Sequence, residues 1–444
     1  MFTVLANRTY RHLFAAQVIA LFGTGLMTVA LALLAYDLAG ADAGAVLGTA
    51  LAIKMIVYVA LSPLAAGFAS RFPRRAWLVG LDLVRAATAV ALPFVDAVWQ
   101  IYLLIAVLQS ASAAFTPAFQ ATIPDILKDE EDYTSALSLS RMAYDLENLL
   151  SPVVAAVLIG LVGYHWLFSG TVAGFLVSAG LVLTVTLPAI AAARDTSPWQ
   201  RISQGMRIYL QTPRLQGLLA LNLTVAAAGA IVIVNSVVVV KSLLGGSDTD
   251  LALAMAAYGG GSMVAALALP RLLRTVSDRS VMLSGACVLP CVLLAFAAVS
   301  TGLQPQELWP LLLGAWFIMG TASSAIMVPS GRLLRNSAHA EDRPMVFAAQ
   351  FALSHGCWLI AYPLAGWLGT SAGLQTTMLA HAGLAIVGML AALKLWPLAD
   401  SRILVHEHPE LPADHPHLQD AFGKRHAHAF VIDALHASWP TERG

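Results

Sequence analysis

Twelve runs of mainly apolar residues, each close to the roughly 20 residues a helix needs to cross a bilayer, occupy most of this chain. They lie near residues 12–36, 44–69, 76–98, 100–122, 137–162, 165–188, 215–240, 250–270, 280–300, 307–329, 346–369 and 373–396. Lipid offers no partner to a backbone N–H or C=O, so runs of this length are expected to be helices. Of the 444 residues, 58% are hydrophobic and only 11% charged, against about 25% charged in a soluble domain. The mean hydropathy is +0.74. A soluble chain of this kind would expose large apolar patches, which excludes soluble enzymes, disordered scaffolds and nucleic-acid binders. The 25 basic and 25 acidic residues cancel, leaving no overall field to steer a polyanion. The first run is too long, and too polar over residues 7–12, for a cleaved signal peptide, and is read as a retained span.

Orientation follows from the distribution of Lys and Arg between loops. One set of alternate loops holds Arg8 and Arg11; Arg71, Arg74 and Arg75; Lys128; Arg194, Arg201 and Arg207; Arg271, Arg274 and Arg279; and Arg332, Arg335 and Arg343. The other holds Lys241 with Asp37, Asp42, Asp96, Asp248, Asp250 and Glu307. Both termini are therefore expected to be cytoplasmic. The chain also repeats itself. Pro117 and Pro152 are 35 residues apart in the fourth and fifth spans, and Pro329 and Pro363 are 34 apart in the tenth and eleventh. This predicts a six-helix bundle over 1–188, a cytoplasmic linker over 189–214, a second bundle over 215–397 and a tail over 398–444. Two helix bundles around a midplane site is the layout of a rocking-bundle transporter.

The loop after the second span, Ala66-Gly67-Phe68-Ala69-Ser70-Arg71-Phe72-Pro73-Arg74-Arg75, resembles the G-x-L-A-D-R-x-G-R-R loop of the major facilitator superfamily. It keeps the three arginines and replaces both glycines and the aspartate. A weaker echo, Leu273-Arg274-Thr275-Val276-Ser277-Asp278-Arg279, occupies the equivalent loop of the second half. The fifth span's Glu147-Asn-Leu-Leu-Ser151-Pro152-Val-Val-Ala155-Ala156 is similar to the g-x-x-x-G-P-x-x-G-G of exporters in that superfamily, with small residues preserving close helix packing. Residues 136–148, Phe347-Ala-Ala-Gln350-Phe-Ala-Leu-Ser354-His355 and a histidine-rich C-terminus resemble a branch of macrolide and siderophore exporters, and within it the nickel-resistance exporters. The resemblance implies an all-α membrane protein of twelve transmembrane helices in two pseudo-symmetric bundles. It further implies a monomer in a bacterial inner membrane, alternating access, and a gating loop built on Arg71, Arg74, Arg75, Asp278 and Arg279. The replacement of the loop aspartate by Ser70 puts in doubt any gate that relies on it.

An ionisable residue inside a span is costly and is a functional candidate by default. Lys54 falls near mid-depth of the second span, either as a structural ion-pair partner or as the counter-ion of a coupling carboxylate or anionic substrate. Asp82 and Arg85, three apart, can pair on one face of the third span. In the fifth span Arg141 and Asp145, four apart, can pair as well. Glu147 is roughly 200° around the helix from Asp145 and faces elsewhere. Glu147 first and Asp145 second are expected to carry protons; the alternative is that both pin the cytoplasmic gate. Gln17, Gln109, Ser110, Asn222, Asn235, Ser323 and Ser324 fall on spans that line the central cavity in the family, and most are expected to be helix–helix hydrogen bonds. His355 stands about ten residues into the eleventh span, as a packing residue or a ligand. Cys287 and Cys291, four apart, read as small packing residues; with Cys357 they are too few for a disulfide framework.

Beyond Pro397 the composition changes. Seven of the twelve histidines, His406, His408, His415, His417, His426, His428 and His436, lie in the tail, three of them opening His-x-His pairs interleaved with acids. Imidazole suits nickel, copper, zinc and cobalt, and in an extended segment His-x-His puts both rings on one side. The apolar residues 430–440 are expected to dock this tail on the cytoplasmic face. No G-x-x-x-x-G-K-[ST] phosphate loop is present, so an ATP-driven or enzymatic role is not expected, and no cofactor beyond a transported or tail-bound divalent metal. The expectation is a proton-coupled exporter of nickel or a related cation. Its rivals are efflux of an amphiphilic drug or siderophore, and a membrane metal sensor. One conflict stands: a cationic Lys54 repels a bare divalent ion, and the spans hold no acidic cluster to strip one of water.

Overall fold

Each apolar run becomes a long helix in the computed structural model, which describes residues 2–39, 43–69, 71–188, 197–300, 302–398, 403–408, 412, 425–433, 435–436 and 438–440. The first six long helices are α1 (Arg8–Ala39), α2 (Ala43–Ala69), α3 (Arg74–Ala91), α4 (Val98–Ile126), α5 (Glu130–Val162) and α6 (His165–Leu183). A shorter helix, α7 (Pro198–Gln211), precedes α8 (Pro213–Ala230), which continues through π-helical turns at Ile231–Asn235 and Val239–Leu243. The last five are α9 (Asp248–Leu272), α10 (Asp278–Val299), α11 (Pro305–Asn336), α12 (Arg343–Ser371) and α13 (Gly373–Leu395). Among the described residues, eleven of these helices are long and apolar enough to span a membrane. With α5 they make the twelve expected, in a multi-pass membrane protein.

Prolines stand inside several spans, among them Pro63, Pro117, Pro329 and Pro363, and neighbouring helices make such breaks tolerable in a membrane. Phe94, Trp99, Trp166 and Trp367 are all exposed at the helix ends opposite the arginine-rich loops, where aromatic rings seat a protein at the lipid–water boundary.

Within the first six helices, α1 packs on α5 and α6, α2 on α4, and α3 on α4 and α6. Within the last six, α9 and α10 pack on α11, and α8 and α10 on α13. The α9–α11 crossing is very close: a Cβ on Gly261 would lie 1.9 Å from the Phe317 carbonyl oxygen. The two sets meet along α2–α12 and α4–α12 on one side and along α5–α9 and α5–α11 on the other.

The linker contributes an amphipathic helix. Ser197 caps α7 by accepting from the Gln200 N–H while Gln200 returns a bond to the Ser197 N–H, a reciprocal cap that fixes its start. Ile208 and Tyr209 are fully buried, and the Tyr209 hydroxyl donates to Gln350 of α12. The tail departs from an all-helical chain. Strands β1 (Ile403–Glu407) and β2 (Arg425–Ala429) pair antiparallel with His406 opposite His426. Phe430 and Ile432 then bury into the core of the second half, with Leu404 and Trp439 packed beside them.

Candidate functional site

Five elements converge on the space around Lys54 and Glu147. Lys54 of α2 places its Nζ 5.6 Å from the centre of the Tyr58 ring, one helical turn on. Tyr58 donates to Gln109 of α4 at 2.8 Å, and its ring lies 4.9 Å from Phe351 and 4.8 Å from His355 of α12. His355 bonds through Nδ1 to the Phe351 carbonyl at 2.7 Å, which turns Nε2 away from its own helix. On α5, Ser140 donates to Gln17 of α1 at 3.0 Å. Glu147 sits against α1 where that helix carries no side chain: a Cβ on Gly25 would come within 2.1 Å of Ser151 Oγ and 3.0 Å of Glu147 Oε1. Lys54 and Glu147 lie in electrostatic reach of each other; no direct ion pair joins them. A carboxylate and an ammonium held near each other among polar and aromatic side chains are suited to taking up and releasing a proton or binding a charged substrate.

Asp145 is placed differently. Arg141 pairs with it at 3.1 Å, Ser262 of α9 donates to it at 2.6 Å, Arg141 Nε donates to the same hydroxyl at 2.9 Å, and Ser324 of α11 lies 2.6 Å from Ser262. This network joins the two halves. Asp82 and Arg85 also pair; Ser178 donates to Asp82 at 2.8 Å, and the guanidinium lies between the Phe115 and Phe175 rings at 4.0 and 4.6 Å. That pair is enclosed within the first half, with the guanidinium in electrostatic reach of Tyr58.

The remaining expected cavity residues separate. Gln17, Gln109 and His355 belong to the convergent group. Asn222 donates to the Leu218 carbonyl of its own helix and is buried. Asn235 is buried in the π-helical turn, Ser110 bonds its own helix at Ala106, and Ser323 accepts from Tyr258. Of these four, only Ser323 bonds across helices, and the buried Asn235 Oδ1 has no hydrogen-bond partner among the described residues. Cys287 and Cys291 correct the reading made of them: they are exposed on α10, not packed, because that face points away from the bundle. Ser70, Arg194, His415 and His417, and the side chains of Asn148, Pro152, Arg201 and Lys241, lie outside the described residues. Tyr58 and Phe351 escape a sequence reading because aromatic residues in a span look like ordinary core.

On the arginine-rich face, salt bridges close the halves together. Asp125, at the end of α4, accepts from Arg74 at 2.8 Å and from Arg343 of α12 at 3.0 Å. Glu130 pairs with Arg332 of α11 at 2.8 Å, and Arg332 lies 3.5 Å from Asp278. Thus Asp125 supplies a bridging carboxylate of the kind the loop sequence lacks. Of the other gating-loop residues, Arg71 lies over the Phe68 ring at 5.1 Å, Arg75 donates to the Leu183 carbonyl, and Arg279 donates to the Trp396 carbonyl at 3.1 Å.

The tail forms a second cluster. Because strand neighbours alternate in direction, Leu404, His406 and His408 share a face with His426 and His428. His406 and His408 direct Nε2 at His436 Nε2, at 2.9 and 3.2 Å. One ligand atom from each of His406, His408 and His436 lies within 4.8 Å of the others, and the same holds for His406, His426 and His428. These sets could hold a transition metal. Burial pushes His406 down to about 4, keeping it in the neutral form that ligates. Burial alone would raise Asp433, but hydrogen bonds from His339 and His436 hold its carboxyl well below the usual range.

An MFS-type transporter of Bacillus subtilis, YfiS, is 24% identical over 371 residues, covering 81% of this chain and 87% of that protein. Macrolide efflux protein A of Enterococcus faecalis is 25% identical over 186 residues, covering 39% of this chain and 57% of that protein. Among solved structures, a bacterial homologue of the iron transporter ferroportin in an outward-facing state superposes with a TM-score of 0.72 at 12% identity, covering 87% of this chain and 99% of that one; at this identity the likeness speaks for the fold alone. The sequence profile of the Major Facilitator Superfamily matches residues 13–239 and 217–427. The chain belongs to the major facilitator superfamily of membrane transporters.

Proposed function

We propose that this transporter exports a divalent transition-metal cation, nickel or a related ion, in exchange for protons. The observation that carries the reading is the folded histidine cluster docked on the arginine-rich face. Under this reading that face and both termini are cytoplasmic, as the loop-charge bias indicates, and the membrane is a bacterial inner membrane. The segments 1–188 and 215–397 then rock about the Lys54–Glu147 space, with 189–214 as the tether. Asp125, Glu130, Arg332 and Arg343 hold the cytoplasmic side shut, and inward opening must break them. Glu147 is the proton carrier in this scheme. Protonating it removes the negative partner of Lys54, so carboxylate charge and cargo alternate at one place. Asp145 and Arg141 belong to the latch. His355 and Gln109 offer nitrogen and oxygen donors to the cargo, and the tail would deliver metal or buffer it at the mouth.

The test is growth of an exporter-deficient host on graded nickel, cobalt and zinc, with and without residues 398–444. Tolerance should rise for at least one metal; no rise for any would remove the metal. In vesicles with an imposed pH gradient, Glu147→Gln should abolish gradient-driven efflux, leaving under about 1% of the rate; unchanged efflux would reassign the proton site.

A second reading, efflux of an amphiphilic molecule, is favoured by the Tyr58–Phe351–His355 aromatic group and by Lys54, which repels a bare divalent cation. The efflux relatives point the same way. Dye or macrolide extrusion from the same cells, without metal tolerance, would select it.

A further inference from the structure

The Asp433 carboxylate links the histidine tail to the membrane bundle. His436 donates through Nδ1 to Asp433 Oδ1 at 2.8 Å, and that oxygen also accepts the backbone N–H groups of Leu435 and His436, each at 2.8 Å. The second oxygen of Asp433 meets His339 Nε2 at 3.3 Å. His339 lies in the loop between α11 and α12. The helix ends that flank this loop carry Arg332 and Arg343, both engaged across the halves by Glu130 and Asp125.

We propose that His406, His408 and His436 bind a divalent transition-metal ion, and that Asp433 transmits its presence to His339, so that a loaded tail clasps the α11–α12 loop. The inference rests on the tail's being a metal binder and is independent of what crosses the membrane. Four features support it. The Nε2 separations of 2.9 and 3.2 Å approach the roughly 3.3 Å expected between nitrogens sharing one tetrahedral ion at 2.0–2.1 Å. With Nδ1 held by Asp433, His436 points Nε2 toward the cluster, the carboxylate–histidine–metal arrangement that orients ligands. His408 and His436 are each only 3% exposed, so the set is sheltered. Among the described residues the set is three imidazoles, a chemistry that selects nickel, zinc, cobalt or copper over magnesium and calcium.

The clasp has an anchor to work against. Phe430 and Ile432 are 3% and 0% exposed, and Arg214 at the start of α8 lies 5.3 Å from the Trp439 ring. The tail is thus seated by apolar burial, and the Asp433–His339 contact lies between that seat and the ligand set. Ordering His436 by metal orders Asp433, and with it the contact to the loop whose ends must move when the arginine-rich face opens. By reciprocity, whatever frees the loop weakens metal binding. His406 also belongs to the set with His426 and His428, so an ion can pass between two overlapping sets without leaving the hairpin.

The experiment uses full-length protein in nanodiscs, titrated with nickel or zinc chloride and, as control, magnesium chloride. Affinity is measured by competition with a chelator, and hydrogen exchange is followed over residues 336–345 and 403–440. Nickel or zinc, but not magnesium, should slow exchange in both segments. Asp433→Asn, with all imidazoles intact, should weaken binding by about 10–100-fold. His339→Ala should weaken it by roughly fivefold, a modest coupling, and remove the metal-induced protection of 336–345 while that of 403–440 persists. Two results would overturn the proposal: undiminished affinity in the triple variant His406→Ala, His408→Ala, His436→Ala, or full protection of 336–345 in both Asp433→Asn and His339→Ala. Transport is not the readout. A protein that clasps without exporting metal would retire the export reading alone, and one that exports without clasping would retire this inference alone.

Discussion

The two seams along which the halves meet are built of opposite materials. Between α2 and α12 the contact is small and aromatic: Ala66 packs with Met345 and Ala348, Ser62 donates to the Ala348 carbonyl at 3.4 Å, and the Tyr58 ring meets Phe351 at a tilt and His355 edge-on. Between α5 and α9 the contact is ionic and hydrogen-bonded, with Arg141, Asp145, Ser262 and Ser324 in one network. Apolar surfaces with few directional bonds can slide by small steps. A charged network has few satisfied arrangements, and packed interfaces of that kind switch between discrete states. The α5 seam is thus expected to act as the stiffer latch at mid-depth and the α2–α12 contact to give way more readily, while Asp125–Arg343 ties α4 to α12 at the arginine-rich end. The same contrast separates two carboxylates two residues apart on α5: Asp145 is held by Arg141 and Ser262, while Glu147 lies beside Gly25 and in electrostatic reach of Lys54.

The sharpest way to break this comparison is to remove the latch. Asp145→Ala leaves Arg141 without its buried partner, a loss of about 3–5 kcal/mol for a buried pair. That loss should appear as a shift toward opening on the arginine-rich face, read as labelling of cysteines introduced along the half of α5 nearer that face. If Ser62→Ala on the other seam shifts labelling as far, the seams are not different in kind. The Ser62 change removes one neutral bond, worth about 0.5–1.5 kcal/mol. A middle effect is expected from Gly261→Ala, whose added Cβ meets the Phe317 carbonyl at 1.9 Å. Overpacking costs about 1–3 kcal/mol and would displace the neighbouring Ser262. Thermal stability should fall, and latch labelling should rise with it. A fall in stability without any rise in labelling would show that the network tolerates movement of α9.

Much of this was legible in the sequence, and the failures have physical causes. Spans could be read because lipid demands long apolar helices, yet α5 starts at Glu130 and α11 runs to Asn336, each seven residues beyond its apolar run. Helices do not stop where hydropathy does. Asp129 caps α5 by accepting from the N–H groups of Glu131 and Asp132, and three acids in the first turn suit the positive end of the helix dipole. Arg141–Asp145 could be foreseen from its spacing of four, whereas Ser262, 117 residues from Asp145, carries no local signal. Asp125 was hidden for the same reason: the family loop drew attention to Ser70, and the replacing carboxylate comes from another helix. His-x-His spacing suggested rings on one face, but neither the pairing of His406 with His426 nor the closure by His436 can be deduced without the register.

The smallest expected effect lies beyond both seams, where the tail meets the loop that begins α12. The Asp433 hydrogen bond raises His339 above the ordinary histidine value of 6.5. A group whose value is raised on docking contributes fully below its undocked value and loses that contribution as pH rises through the docked one. The contact should hold the metal-free tail best in mild acid and release it as the pH rises past about 6.5 and through neutrality. With His339 48% exposed, the pair is worth under about 1 kcal/mol. A spin label at exposed Ser438 should therefore become slightly more mobile between about pH 6 and pH 8, and His339→Gln should flatten that change. Because His339 adjoins Arg343 and hence the α2–α12 side, labelling along that seam should follow the same pH profile, while labelling along α5 and α9 should not. A matching profile at both seams would mean that the tail acts on the whole closed face and that the ionic latch is not the independent element argued above.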